Sequence, residues 1–361
     1  MIYLFIMILL LPTAWFANVV KRITAASGGK RIFLIGQLPW ILMFTVLSYF
    51  MVFRDTVGSD YVSYRDVVFP SIQYGKFVKS YEWLFTYLVE WTSRAFNNNS
   101  YYVFAVISLI TALFLIKSIQ SQSKGYTLSL ALVILTLFFS FSLSGIRQAL
   151  AGAIALYAMN FLKKQRLLFF GLVFISSGIH SSGIVYLLLF FLVNLKISKR
   201  QAYLVAAIFL MILPFSRRLL MFVSTRLGLF NDYWGSGFDT GSSSSSFYLI
   251  GIALLVVLLL SVFKGDLQIN GSWEAWTFVL TISIALVQSQ LPTPLRSYMI
   301  FTPLLVVAVP NVISKIKDAH FRVLAVLIIL GAFGLFFLVN IIGYNLYGTL
   351  PFNMTTEWLH N

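Results

Sequence analysis

Cysteine is absent from the sequence, so the chain can form neither a disulfide framework nor a thiolate site. Histidine is almost as scarce, and its three copies at positions 180, 320 and 360 are too scattered for a histidine-rich metal site. The short motifs of P-loop nucleotide-binding proteins, G-x-S-x-G hydrolases and H-E-x-x-H metalloproteases are also missing. We therefore expect no bound metal and no cofactor.

Charged side chains are scarce too, at 10% of the 361 residues, whereas 59% of the residues are hydrophobic and the mean hydropathy is +0.88. Apolar runs of about 20 residues are long enough to cross the ~30 Å hydrocarbon core of a bilayer as helices. Such runs fill the chain and leave no room for a separate soluble domain. The sequence predicts an all-α integral membrane protein in which residues 1–361 form a single polytopic membrane domain.

About twelve transmembrane helices are predicted from the apolar runs. These cover residues 2–20, 32–53, 100–117, 126–143, 146–162, 167–179, 182–195, 201–215, 247–263, 273–290, 298–313 and 323–343. The first run lacks a basic segment before it and a small-residue cleavage site after it, so it is interpreted as a retained span and not as a signal peptide.

The formal net charge of +15 comes from basic residues that cluster in the connections between spans. These connections are residues 21–31, 118–125, 163–166, 196–200, 264–272 and 314–322. By the positive-inside rule these connections are cytoplasmic, which places both termini outside. The net positive charge is thus explained by topology, and we expect no nucleic-acid partner. Two larger periplasmic loops follow, at about 54–99 and 216–246. The first contains an amphipathic interfacial stretch, Tyr81–Phe96, and the second ends in a flexible Gly-Ser run at 241–246.

Residues 167–195 are predicted to form a short recessed hairpin, because a basic cluster flanks each end of the segment. Each arm is only about 20 Å long at 1.5 Å per residue, which is too short to cross the bilayer core. The polar apex around His180 would then line a cavity open to the outside, since irregular backbone at that depth needs water or protein around it. A single kinked helix is the alternative, and it would violate the charge rule.

A small set of ionisable residues recurs at one end of the predicted spans: Arg54, Asp60, Arg147, His180 and Arg296. A charge at mid-bilayer costs about 2.5–3.5 kcal/mol by insertion scales, and charges retained near the hydrocarbon usually serve transport or chemistry. The alternative for the arginines is a side chain that extends to the lipid headgroups. For the loop that begins at Arg54, the alternative is an interfacial aromatic belt with local salt bridges.

Ordered short motifs carry a family resemblance across roughly residues 50–300. They are the loop Arg54…Val57-Gly58-Ser59-Asp60-Tyr61…Tyr64, the stretch Glu82-Trp83-Leu84-Phe85, Gly145-Ile146-Arg147-Gln148…Ala151, Ile179-His180-Ser181-Ser182, and Arg296 with Tyr298. Together they resemble the EpsG family of bacterial membrane proteins, which belongs with the Wzy-type O-antigen and capsule polymerases. The chain departs from the family pattern at Ser59, where threonine is frequent, and at Ser181, where proline is common after the histidine.

The resemblance implies a metal-independent glycosyltransferase that joins undecaprenyl-diphosphate-linked oligosaccharides at the periplasmic face of the bacterial inner membrane. Its partners would be those lipid-linked oligosaccharides, the bilayer and a chain-length regulator protein. The diphosphate would be bound by Arg147, Arg296 and Arg54, because guanidinium forks match phosphate oxygens. His180 is the first candidate for the base that activates the acceptor hydroxyl, and Asp60 is the second. The sugar contacts would be Tyr61, Tyr64, Gln148 and Glu82.

Three other functions stay open from the sequence. An O-antigen ligase would use the same lipid donor and transfer the glycan to a lipid-A core. A glycosyltransferase that uses a lipid-phosphate sugar would show an acidic metal-binding loop, and Asp55, Asp60 and Asp66 lack a tight D-x-D pair. A flippase or transporter would carry mid-membrane charges in repeated halves, and no internal repeat is visible.

Overall fold

The computed structural model describes residues 2–27, 32–75, 81–196, 201, 216–226, 234–236, 245–291 and 293–356. Within these ranges the chain is helical, and its extended pairing is limited to two isolated antiparallel bridges. The α-helices are α1 (Ile2–Ser27), α2 (Ile32–Val52), α3 (Tyr61–Ser63), α4 (Phe69–Gln73), α5 (Trp83–Ala95), α6 (Ser100–Gln122), α7 (Tyr126–Leu135), α8 (Phe138–Ser144), α9 (Ile146–Ala158), α10 (Arg166–Ile179), α11 (Leu187–Asn194), α12 (Ser216–Arg226), α13 (Ser245–Phe263), α14 (Trp273–Val287), α15 (Pro294–Ile313) and α16 (Ala319–Phe337). The predicted all-α class is confirmed for this part of the chain.

Five helices in the described ranges are long and apolar enough to cross a membrane, and a sixth span arises if α7 and α8 are counted as one helix bent by 49°. Within the described ranges the structure supports a multi-pass membrane protein, and the expected number of about twelve spans is not confirmed. One apolar run is interrupted at Leu137, whose positive φ of 68° ends α7. The predicted span 201–215 falls almost entirely outside the described residues.

Helix α15 is the centre of the bundle, and its residues from Ser297 to Ile313 are all buried. It packs against α7, α9 and α14. Small residues on α9 permit the close approach, since a Cβ added at Gly152 would lie 2.8 Å from Pro303 of α15. Two further small residues of α9, Ala149 and Ala153, are also buried in the core.

The segment predicted as a hairpin folds back on itself. The rings of Phe169 and Phe170 on α10 lie 6.0 and 4.9 Å from the ring of Phe190 on α11. Nearer the apex, Gly183 lies so close to Ser176 that an added Cβ would meet its backbone carbon at 2.5 Å. Residues on either side of His180 are therefore in contact, and the chain turns back at this residue. His180 lies between α10 and a 3-10 turn at Ser181–Tyr186. The hairpin is confirmed, and its depth in the bilayer stays a prediction.

Four of the predicted cytoplasmic connections meet at one end of the bundle. The backbone N–H of Lys124 donates to Asn311 at 2.8 Å, and Lys317 forms a 2.7 Å ion pair with Asp266. Gly271 lies near the Lys163 ammonium group, since an added Cβ would be 3.8 Å from Nζ. Their shared location agrees with a common side of the membrane. The N-terminus of α15 lies at the opposite end, about 30 Å away for 20 residues at 1.5 Å per residue.

Cysteine accessibility tests this arrangement in a chain that has no cysteine of its own. We expect Ser63→Cys, on the exposed end of α3, to react with an impermeant thiol reagent from the periplasmic side. Ser121→Cys and Ser314→Cys, exposed at the basic end, should react only after the membrane is permeabilised. Ser181→Cys at the hairpin apex should react from outside more slowly than Ser63→Cys. Labelling of Ser314→Cys from outside would reverse the predicted orientation.

Candidate functional site

A polar cavity of about 320 Å³ lies at the end of the bundle opposite the basic connections. Five chain segments supply its wall: the loop after α2, the junction of α8 and α9, the hairpin apex, the start of α15 and the C-terminal segment. Its lining residues are Ser59, Asp60, Tyr64, Phe141, Ser144, Gly145, Arg147, Gln148, His180, Leu295, Arg296, Leu346 and Tyr347. The structure therefore brings together six residues predicted for the site: Asp60, Tyr64, Arg147, Gln148, His180 and Arg296.

The break between α8 and α9 presents a helix N-terminus to this cavity. Gly145 caps α9, and a Cβ there would collide with the ring of Phe141, so a larger residue does not fit without displacing the ring. Arg147 and Gln148 occupy the first turn of α9. The free N–H groups of a first helical turn, together with the helix dipole, favour a negatively charged ligand. The first turn of α9 thus forms a wall of the cavity that favours an anionic ligand.

Arg147 is fixed within a cage of protein groups and does not extend to the headgroups. Its Nη1 donates to Glu82 Oε2 at 2.5 Å, and its Nε donates to the Tyr64 hydroxyl at 3.1 Å. The guanidinium carbon also lies 4.7 Å from the centre of the Tyr81 ring. No described residue accepts a hydrogen bond from Nη2. One edge of the fork is consequently left for a ligand, while the other edge is immobilised.

Tyr64 keeps its proton in this environment, because burial raises the pKa of its hydroxyl, although the neighbouring Arg147 opposes part of that shift. The hydroxyl oxygen accepts the Arg147 N–H, and its own proton can be donated to a ligand. Tyr64 lines the cavity, and its predicted contact with a sugar stays a prediction.

Glu82 lies behind Arg147 and is absent from the cavity lining. One carboxylate oxygen accepts from Arg147, and the other accepts the backbone N–H of Ser181 at 2.8 Å. The carboxylate therefore ties the start of α5 to both Arg147 and the hairpin apex. This placement does not support the predicted sugar contact and instead makes Glu82 a residue that positions Arg147.

The His180 side chain is held by hydrogen bonds to Ser182, two residues further along the chain. Its Nδ1 accepts the backbone N–H of Ser182 at 3.2 Å and lies 2.8 Å from the Ser182 hydroxyl. A neutral imidazole that accepts at Nδ1 carries its proton on Nε2. In this state the free nitrogen of His180 is a hydrogen-bond donor and not a base.

Asp60 stands on a loop whose course depends on Gly58. The φ of Gly58 is +110°, and a Cβ there would overlap the carbonyl oxygen of Leu143 at the end of α8. The next residue, Ser59, links its hydroxyl to that of Ser144 at 2.7 Å and to the Asp60 carboxylate at 3.2 Å. The half-buried Asp60 carboxylate is thereby held at the cavity, opposite the start of α9.

Arg296 and Gln148 join two walls of the cavity. The Gln148 side-chain amide donates to the Arg296 carbonyl at 3.1 Å, which connects the first turn of α9 to the first turn of α15. The Arg296 side chain is exposed and lines the cavity. Two guanidinium groups and two helix N-termini thus surround one space.

Two predicted ligand contacts lie elsewhere. Arg54 is 1% exposed and outside the cavity lining; its Nη1 donates to the Met51 carbonyl and, at 3.1 Å, to the Ser108 hydroxyl. Tyr61 is also buried, and its ring stacks on that of Phe104 at 4.4 Å. Both residues brace the loop against α6, so their placement does not support contact with diphosphate or sugar.

The described residues contain no group of three His, Asp or Glu side chains placed to hold a metal ion. Of the acidic residues considered in the sequence, Asp66 is engaged by Arg65 through two hydrogen bonds of 2.6 and 2.9 Å. That guanidinium lowers the pKa of the Asp66 carboxyl.

The C-terminal segment forms a wall of the cavity that was not predicted from the sequence. Leu346 and Tyr347 line the cavity, although they follow the last predicted span and lie 50 and 51 residues beyond Arg296. No motif marks them. Asn345 and Gly348, which both adopt positive φ, indicate only that the chain turns there.

The fold and the cavity define a class: an all-helical, multi-pass membrane protein with a cationic, hydrogen-bonding cavity at one end of its helix bundle. More particularly, the chain belongs to the EpsG family, whose sequence model matches residues 37–354. This family comprises Wzy-like membrane proteins and is associated with polysaccharide polymerases of the glycosyltransferase type. No curated protein and no solved structure matches the chain.

Proposed function

We propose that this protein is a polysaccharide polymerase that transfers an undecaprenyl-diphosphate-linked glycan onto a lipid-linked repeat unit at the periplasmic face of the inner membrane. The observation that carries the proposal is the convergence of Arg147, Arg296 and the start of α9 on a cavity that also holds Asp60 and His180. Membership of the EpsG family supports the same conclusion.

The donor diphosphate would bind between Arg147, Arg296 and the free N–H groups of α9. A glycosyl diphosphate already contains a good leaving group, so the enzyme's main task is to neutralise negative charge that develops as the glycosidic bond breaks. Preorganised cations and N–H groups perform this task without reorganising during the reaction. The Glu82 carboxylate and the Tyr64 hydroxyl hold Arg147 ready for it.

The acceptor hydroxyl would be deprotonated by Asp60, with His180 as a hydrogen-bond donor. The acceptor oxygen forms a bond to the anomeric carbon of the donor, the bond from that carbon to the diphosphate breaks, and the hydroxyl proton passes to the Asp60 carboxylate. The undecaprenyl diphosphate anion leaves. His180 was the first candidate for the base, but the proton on its Nε2 favours donation to a phosphate or sugar oxygen.

Removal of the gene from its host distinguishes this function from its alternatives. We expect polymer to disappear while single repeat units accumulate on the lipid carrier at the periplasmic face, measured by carbohydrate gel and by mass spectrometry of extracted lipids. Full-length polymer retained on the lipid carrier would identify a ligase. Single repeat units confined to the cytoplasmic face would identify a transporter.

A further inference from the structure

The C-terminal segment, residues 344–356, forms a strap across the end of the bundle. It pairs with the loop after α2 through four backbone hydrogen bonds of 2.7–3.0 Å, spread from Phe53 to Ser59 on the loop side. The bond closest to the cavity joins the Ser59 N–H to the Tyr347 carbonyl at 2.7 Å. The residue before Asp60 is therefore attached directly to the strap.

The strap is also anchored to the helices. The buried Thr349 hydroxyl bonds to the hydroxyl of Tyr3 on α1, which in turn accepts from Ser140 on α8 at 2.9 Å. Within the strap, the Asn345 side chain accepts from the Leu350 N–H at 3.0 Å and donates to its carbonyl at 2.5 Å. These contacts hold a closed turn, so the residues between them are presented in one fixed conformation.

Tyr347 lies inside this turn and faces the cavity. Its ring centre is 5.5 Å from that of Phe141, and the residue is only 9% exposed. Burial raises the pKa of the hydroxyl, with Arg296 and Asp60 both close enough to act on it electrostatically. Tyr347 therefore places an aromatic face and a protonated hydroxyl beside the carboxylate that we propose as the base.

We propose that Tyr347 binds the acceptor sugar and, with the strap, determines which acceptor fits next to Asp60. A tyrosine combines an apolar face with a hydrogen-bonding tip, which matches the apolar ring face and hydroxyl groups of a sugar. The cavity, at about 320 Å³, has the size of a small-molecule site. This inference rests on the proposed polymerase function and adds a residue that binds the acceptor and not the donor.

The test uses the purified full-length protein in lipid nanodiscs, with its lipid-linked repeat unit as donor and a soluble repeat-unit glycoside as acceptor. We expect Tyr347→Ala to raise KM for the acceptor about tenfold or more, with little change in KM for the donor. Tyr347→Phe, which keeps the ring, should show a smaller rise. Tyr344→Ala provides the matched control, because Tyr344 is on the same strap and 77% exposed.

Each outcome separates the two proposals. If the wild-type protein transfers nothing to any acceptor, the polymerase proposal fails. If it transfers glycan but Tyr347→Ala has the wild-type acceptor KM, the inference about Tyr347 is wrong. Should Tyr347→Ala fail to accumulate in the membrane, Tyr347→Leu fills the space against Phe141 without an aromatic face and must show the same rise in acceptor KM.

Discussion

Replacing Arg147 with alanine should abolish detectable polymer in cells and lower the transfer rate in vitro by about 10²–10³-fold, the usual cost of removing one preorganised donor to a developing anion. Arg147→Lys should recover part of this loss, since it keeps the charge and loses the planar fork. Glu82→Gln should also lower activity, because it removes the charge that orients the Arg147 guanidinium. The measurement is the polymer ladder together with the amount of protein in the membrane fraction.

Arg94→Ala is the matched control for Arg147. The Arg94 side chain is 82% exposed on α5 and pairs only loosely with Glu90, at 3.7 Å. We expect a normal ladder from this variant. A normal ladder from Arg147→Ala at wild-type protein level would show that the arginine is a structural residue, and Arg296 would then be the main cation for the diphosphate.

Asp60→Asn should slow transfer by about 10²–10⁴-fold, the typical contribution of a general base. Asparagine preserves the shape of the side chain and its hydrogen bond to Ser59, so binding of the lipid-linked donor should change little. His180 provides the comparison. A glutamine amide can imitate an Nε2–H donor, so His180→Gln should retain more activity than His180→Ala.

Comparison of Asp60→Asn with the two His180 variants identifies the base. If His180 were the base, His180→Gln would be as inactive as His180→Ala, because an amide cannot accept the acceptor proton. Asp60→Asn would then keep most of the wild-type rate. Initial rates of transfer in nanodiscs, with protein amount and thermal stability measured alongside, distinguish these patterns.

The sequence predicted those features that rest on periodicity and charge. The hairpin around His180 followed from basic residues on both sides, and the contacts of Phe169 and Phe170 with Phe190 confirm it. Arg147 was expected among the ionisable residues at one end of the spans, and it lines the cavity together with Gln148. Both features depend on charged residues near hydrocarbon, where the placement of a charge is strongly constrained.

Other features depend on tertiary contacts that leave no trace in a single sequence. Arg54 was expected to bind the diphosphate because of its position in the sequence. In the structure, however, its guanidinium lies over the rings of Phe104 and Tyr61. Glu82 was expected at the sugar, whereas the fold places it behind Arg147. Tyr347 could not be predicted as a site residue from the sequence. Its place in the cavity depends on the pairing of the C-terminal strap with the loop after α2.

The most direct measurement is polymerisation by the purified protein in nanodiscs, with its undecaprenyl-diphosphate-linked repeat unit as the only substrate and excess chelator present. We predict a ladder of products that differ by one repeat unit, with release of undecaprenyl diphosphate and no requirement for a metal ion. Arg147→Ala should give no ladder. Absence of products, or products that form only after Mg²⁺ or Mn²⁺ is restored, would contradict this prediction.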